Sequence, residues 1–575
     1  MDQSERVESH RQTLIAAQAA GPLTTLRAYV GLSGPGWLQS ALTLGGGSCG
    51  SSLYLGVLGG MSLLWIQPFA MAMGVVMMSA ICYASLSIGQ RPFRAINQHI
   101  NPVLGWSWLI AAVMANMVWS MPQYALCFAV CEQNFFPAAF AEGGLLGGEG
   151  DFGKWVVSIT ILTFCTLITW SYGSGHWGIR LYDLVLKLAV GVIVLAFAAV
   201  VVRMALTDGG LDGWAILSGL IPNPRQFYAP SEALVPLLAE ITNPAAQNYW
   251  SDLIVSEQRD VMISAGAAAV GINATFMLPY LLLNRGWDRD FRGLTLFDIS
   301  TGTFIPFVLA TGLILIAASA RFHGELPDGF IVTEQGVEAP EKILAGYQEL
   351  LDKRQQAIDT GSYDLPATVE MAEQRMAGVL IRRDTGDMAK SLQRLFQNSD
   401  GTGGGFLSNA VFGCGVASMT LSSISLMMLI SGFVVCEALG RPATGWTFRL
   451  GCLISGVGVA WPLLWKESSQ AWLSIVAGVY GAMLLPIAYT TFAVMMNQRS
   501  LLGDDTPTGW RRWAWNMAMG VSVLAASAAG VSAVWKKAGA MGLVFVALYI
   551  GLVLAVQVTR QRASTSDRNS NFQQS

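Results

Sequence analysis

The chain has 575 residues, 53% of them hydrophobic and only 12% charged, with a mean hydropathy of +0.48. Soluble proteins carry about 25% charged residues, so composition excludes both a water-soluble globular enzyme and a disordered chain for most of the length. The formal net charge of −3 leaves no basic surface for nucleic acid. The four His lie outside the long apolar runs, and the eight Cys show no CxxC and no paired spacing. Neither a His-rich metalloenzyme core nor a disulfide or zinc framework is expected, and no cofactor is implied.

Apolar runs then recur along the chain. The polar stretch Met1–Ala28 has no apolar h-region, so residues 1–29 read as a cytoplasmic tail without a signal peptide. Thirteen runs long enough to span a bilayer core of roughly 30 Å follow. They are Val30–Leu58, Ser62–Ile88, Val103–Val130, Trp155–Tyr172, Leu181–Ala205, Ala233–Val255, Val261–Leu283, Gly302–Ala320, Ala410–Ala438, Leu450–Trp465, Ala471–Met496, Ala514–Trp535 and Ala540–Val558. In lipid the backbone must satisfy its own hydrogen bonds, so these segments are expected to be helices of an all-α polytopic membrane protein. On the fifth run Asp183 and Lys187 stand four apart and are expected to pair. Residues 323–407 interrupt the series. This stretch is charged, places Ile343, Leu344, Tyr347 and Leu351 at helical spacing, and ends in the run Gly401-Thr402-Gly403-Gly404-Gly405. It reads as a soluble helical insert between two membrane parts, 30–322 and 408–558.

Loop charge tests the count. Short loops with Arg91 and Arg94, with Arg441 and Arg449, and with Arg499, Arg511 and Arg512 belong on the cytoplasmic side, as does the tail 559–575. The acidic loop with Glu142, Glu149 and Asp151 belongs outside. Both termini inside requires an even number of crossings. The reading is therefore twelve, with Val261–Leu283 as a non-crossing hairpin and Arg259, Arg285, Arg289 and Arg292 all on the inner side; thirteen crossings is the alternative.

Two interruptions carry the chemistry. Gly45-Gly46-Gly47-Ser48 lies mid-way along the first run, where each Gly costs about 1 kcal/mol relative to Ala in a helix. A helix unwound there offers free carbonyls and amides, tolerable only beside a cavity; close packing through small residues is the other reading. In the sixth run Glu240 precedes Asn243-Pro244. Pro244 can break a helix, and an acid in lipid needs a partner or a wet cavity. Carboxylate plus amide oxygen suits a hard divalent cation, so Glu240, Asn243 and Ser48 are the candidate metal ligands. Backbone carbonyls near Gly45 and Gly47, and the side chain of Gln470, are further candidates, with Gly46 and Pro244 as helix-breaking positions. A protonated Glu240 bonded to the first helix stays open. Interruptions in runs one and six are the pattern of inverted-repeat transporters, whose broken helices meet at the midplane.

These residues resemble the Nramp family of divalent-metal transporters. Gly34-Pro35-Gly36-Trp37, then Gly45–Ser48, then Ser62-Leu63-Leu64-Trp65 keep the spacing of that family's GPG start, Asp-Pro-Gly-Asn and S-L-L-W. Gly219-Leu220-Ile221-Pro222, the run from Val411-Phe412-Gly413 to Leu421-Ser422-Ser423, and Ser469-Gln470 with Leu484-Leu485-Pro486 are similar to later motifs. The resemblance implies a LeuT-type inverted-repeat fold with broken helices 1 and 6. The departures are informative. Gly45 and Ser48 replace the family's Asp and Asn. Aligned on Pro244, its Ala-x-x-Met-Pro-His becomes Glu240, Asn243, Pro244 and Ala245, without the soft thioether or the His. No acid occurs near Asn116, Trp119 and Met121 to carry protons. This pattern is similar to the Nramp-related magnesium-transporter branch.

The resemblance implies alternating-access transport of Mg²⁺ or Mn²⁺, not proton-coupled, in a cell (inner) membrane, with the bilayer and the cation as partners and a wide cavity for a partly hydrated ion. A second reading keeps the fold and moves a small amino acid or amine. A third is a non-transporting sensor. No catalytic set is present, so an enzyme is not expected.

Overall fold

The structure of the protein is a computed structural model describing all residues except 1–2, 142, 148–149, 173–175, 207–211, 334–335, 385–386, 388–404, 468 and 575. Gly401–Gly404, Glu142 and Glu149 thus lie outside the described residues, as do the side chains of Asp183 and Lys187.

The molecule is built almost wholly of helices, and nine helical stretches among the described residues are long and apolar enough to cross a membrane. The N-terminal tail is itself helical, over Gln3–Ala20 and Pro22–Leu32, and docks through Arg11 on Asp288 (2.6 Å) and Tyr29 on Phe297. The first apolar run forms two helices, α1 (Pro35–Thr43) and α2 (Gly46–Gly59). Pro35 occupies the first turn of α1, where its missing N–H leaves no bond unmade. The long helix α3 (Ile66–Ile88) ends on Gly89 at φ +63°, a left-handed cap that suits glycine. Next come α4 (Pro102–Val130), capped by Asn101, then α5 (Phe152–Tyr172) and α6 (His176–Ala205).

The sixth and seventh runs differ from the sequence expectation. Ala233–Val255 and Val261–Leu283 are not two segments of which one fails to cross. They form one interrupted rod, α7 (Pro244–Ala269) and α8 (Ile272–Asn284), preceded only by a short turn of helix at Val235–Ala239. Asn243 caps α7: its Oδ1 accepts from Ala245 N (2.8 Å) and Ala246 N (3.1 Å), with Pro244 in the first turn. Asn followed by Pro is a favoured helix start, so Pro244 opens a helix here and does not break one. Arg259 and Arg285 consequently lie toward opposite ends of the rod. Arg259 bonds to Phe227 O in the loop beside the insert, whereas Gly34 and Arg285 meet at the foot of α1.

After α9 (Phe304–Phe322) the insert begins with an antiparallel hairpin, β1 (Ile331–Thr333) and β2 (Gly336–Glu338), which adds strands to the expected helical cap. Helices α10 (Glu341–Asp359) and α11 (Met371–Leu380) follow. The insert sits on the first turns of α7. Arg354 and Glu373 form a fully buried pair (2.8 Å), and Trp250 Nε1 donates to the same carboxylate (2.9 Å). Tyr363 donates to Asp252 (2.6 Å). This cover is why Ala233–Val255 has the composition of a separate span: its apolar residues are buried by the insert as well as by neighbouring helices.

The chain re-enters the bundle with α12 (Gly405–Ala438), continues through helical turns between Gly445 and Leu464, and adds α13 (Trp472–Asn497). The last helix, α14 (Gly509–Gln574), folds back at Gly539, whose φ of +56° favours a residue without Cβ. Near one foot of this hairpin Trp515 packs on Tyr83; on the other arm Arg560 donates to Ile100 O (3.1 Å). Near its turn Lys536 pairs with Asp260 (2.7 Å). The two feet therefore lie at one end of the bundle and the turn lies toward the insert.

Candidate functional site

The first rod unwinds over two residues. Leu44 (φ −86°, ψ 60°) leaves the helical region and Gly45 (φ −103°, ψ −179°) is extended before α2 begins. The second rod unwinds at Val270 (φ −144°, ψ 95°) and Gly271 (φ −68°, ψ 160°). The two interruptions face each other. Between them lies a small chamber of about 30 Å³ with a mixed wall, formed by Thr43, Gly45, Gly47 and Ser48 from the first rod and by Ala267, Ala268, Gly271 and Asn273 from the second. Helix α4 contributes Trp119 and Gln123; α12 contributes Ser423 and Met427.

Each wall is held by specific bonds. Gln123 Oε1 accepts from Gly46 N (2.7 Å), satisfying an amide at the start of α2 that has no helical partner. Ser48 Oγ donates to Thr43 O and contacts Ala268 O (3.4 Å), tying the two rods together. Ser423 Oγ lies near Leu42 O (3.4 Å). Asn273 Nδ2 donates to Asn116 Oδ1 (2.8 Å), Asn116 passes a bond to Ser431 (3.0 Å), and Ser431 meets Ser455 (2.6 Å). The glycines are needed twice over. They let the chain unwind, and they let neighbours close in: a Cβ on Gly47 would run into the Trp119 ring, and one on Gly45 would strike Ser423 Oγ. The packing and the unwinding readings of the glycine run therefore both hold.

The chamber wall is neutral. Among the described residues lining it there is no Asp, Glu, His, Lys or Arg. Its polarity comes from the hydroxyls of Thr43, Ser48 and Ser423, the amides of Gln123 and Asn273, and the carbonyls left at the C-terminal ends of α1 and α7. Each break sets a helix C-terminus, of α1 or α7, with about half a negative charge beside a helix N-terminus, of α2 or α8, with about half a positive one, so the dipoles largely cancel and a cation would be met by the oxygens themselves. Met427, a thioether residue, also lines the chamber. About 30 Å³ holds one or two waters at most, so the wide cavity expected from the sequence is not what the chain forms.

The sequence candidates separate into two groups. Gly45, Gly47 and Ser48 line the chamber, and Gly46 is bonded at its edge. Glu240, Asn243, Pro244 and Gln470 do not line it. Glu240 has a side chain 48% exposed and pairs with Arg375 of the insert (3.2 Å). Its acid is thus answered in the soluble cap, not at membrane depth. Asn243 spends its oxygen on capping α7. Sequence reasoning missed Gln123, Asn273, Ser423 and Met427. The available signal was Gly271 followed by Asn273 inside an apolar run, far quieter than a proline.

Residues 375–532 match the family model described as natural resistance-associated macrophage protein-like, Nramp. Among solved structures, the manganese transporter of Eremococcus coleocola in complex with an aromatic bis-isothiourea substituted compound is 15% identical. The match covers 93% of each chain with a TM-score of 0.58. A mutant of that transporter is 14% identical, with 92% of this chain and 93% of that one covered and a TM-score of 0.55. No curated protein matches the chain. At these identities the solved structures establish the fold alone. The likeness to the Nramp family model thus spans residues 375–532, and the likeness of fold extends over most of the chain.

Proposed function

We propose that this chain is an Nramp-like transporter that carries a divalent metal cation, Mn²⁺ or Mg²⁺, by alternating access through the neutral chamber. The observation that carries this reading is the meeting of two helix interruptions around one small chamber. Merging Ala233–Val255 and Val261–Leu283 into one rod favours twelve crossings, with both termini cytoplasmic. The positive-inside rule supports that orientation: Arg91, Arg292 and Arg560 gather at the end opposite the insert.

Electrostatics sets the mode of transport. Carbonyl, amide and hydroxyl oxygens bind a divalent ion more weakly than a carboxylate would, which suits rapid passage. The drive then comes from the membrane potential, about 4.6 kcal/mol per 100 mV for two charges. That is enough for more than a thousandfold accumulation. Proton coupling has no support in the wall. Among the described residues no titratable side chain lines the chamber, and the polar chain leaving it runs through Asn273, Asn116, Ser431 and Ser455, all neutral.

Mg²⁺ keeps several waters, and a chamber for one or two waters penalises it. A thioether residue in the wall, Met427, disfavours Mg²⁺, the harder of the two ions, more than Mn²⁺. The small volume also argues against the amino-acid reading, since an amino acid exceeds the space between the two rods. Uptake into proteoliposomes under an imposed potential tests the assignment. Asn273→Ala should lower Mn²⁺ uptake at least tenfold while Glu240→Gln keeps the wild-type rate. The opposite ranking would return the site to the insert side and overturn this one. Met427→Leu should reduce the Mn²⁺ to Mg²⁺ rate ratio several-fold, and an unchanged ratio would remove the thioether from the selectivity argument.

A further inference from the structure

A second chamber lies beside the first and shares Ala267 with it. Its volume is about 320 Å³, within the range of small-molecule pockets, roughly 300 to 1,000 Å³. It is enclosed by α3, α7, α13 and the first arm of α14. Phe69, Met262, Leu485 and Ala526 make its wall apolar. Its outer sides belong to helices whose apolar side chains face lipid, such as Leu524 and Val531 on α14.

Two polar groups break that wall. Trp65 is 8% exposed, and its indole N–H has no partner. A buried donor left unpaired costs about 1–3 kcal/mol, so the position calls for an acceptor. Arg259 also lines the chamber, at the end toward the insert. Its Nε is bonded to Phe227 O. The nearby acid, Asp260, is engaged by Lys536, and among the described residues no carboxylate pairs with the Arg259 guanidinium.

The geometry points to a binding site for an anionic phospholipid, with one acyl chain in the chamber, an ester or phosphate oxygen accepting from Trp65 and the headgroup phosphate on Arg259. A cation above an apolar slot at membrane depth matches that ligand from both ends. Because Ala267 belongs to both walls, a bound chain would brace α7 just ahead of its interruption.

The test reads lipid binding and does not depend on transport, so its failure and the failure of the transport reading are distinguishable. The purified full chain is reconstituted with a phospholipid bearing a photoreactive diazirine on its acyl chain, in an anionic and in a zwitterionic headgroup form. Crosslinked residues are then mapped by mass spectrometry. Labelling concentrated on 65–73, 259–267 and 525–532 is expected, at least fivefold stronger for the anionic form. Arg259→Gln, a surface change, should erase that preference, and Ala526→Phe should displace the label by filling the slot. Labelling spread evenly over the lipid-facing helices would overturn the site. So would equal labelling by both headgroups together with no effect of Arg259→Gln.

Discussion

Two of the places where a helix is interrupted beside polar residues, Glu240–Pro244 and Val270–Gly271, behave in opposite ways. At Glu240–Pro244 the sequence signal is loud: an acid, an amide and a proline. The structure uses it for a helix cap and an ion pair under the insert. At Val270–Gly271 the signal is faint, one glycine and a following Asn273, yet this break forms half of the central chamber. A strong helix breaker marks where a helix can end. Whether that end is a start, a stop or a cavity depends on which groups are left to take the freed hydrogen bonds. Asn243 takes them at the first place; at the second, the chamber does.

The largest effect expected from this contrast comes from closing the chamber on the glycine side. Gly47→Ala puts a methyl against the Trp119 ring, and uptake should fall at least a hundredfold. Gly47→Ala combined with Trp119→Ala should recover part of it, because the second change removes the clash that the first creates. Two independent losses that multiply would show that the glycine works through the backbone alone.

The first break was legible because three consecutive glycines weaken a helix by about 1 kcal/mol each, a cost that an unbroken span has no reason to carry. The helical content and many helix ends were legible as well, since lipid leaves the backbone little choice. The second break was not, because Val270 and Gly271 differ little from ordinary membrane-helix residues. The insert's grip on α7 was equally hidden. Trp250 and Leu253 read as membrane residues until Arg354, Glu373 and Tyr363 are seen covering that turn.

That grip gives the next largest effect. Arg354 and Glu373 are buried together, and removing one partner of such a pair costs about 3–5 kcal/mol. Glu373→Ala should loosen the insert, seen as faster proteolysis between residues 340 and 384, with the membrane helices still protected. An insert as resistant as before would mean that Trp250 and the remaining contacts hold it unaided. Asn243→Ala should do less. Loss of an N-cap costs about 1 kcal/mol, so the melting temperature falls by a few degrees while Mn²⁺ uptake stays at the wild-type rate. A large uptake defect would move Asn243 from capping into the transport path.

The smallest effect is one of pH. Glu370 accepts from Thr242 Oγ1 (2.7 Å) and Thr242 N (3.0 Å), joining the insert to the segment before α7. These bonds favour its charged form, the side-chain bond most, and hold its pKa below the usual value of 4.5. A carboxyl with a lowered pKa in the folded state stabilises that state above its unfolded pKa. The contribution is lost as pH falls from about the ordinary carboxyl value through the lowered one. The insert of the wild-type protein should therefore become more protease-sensitive as pH drops below 4.5. Glu370→Gln, which cannot ionise, should be more sensitive at neutral pH and show a shallower change on acidification. An identical acid profile in the two proteins would assign the loosening to groups other than Glu370.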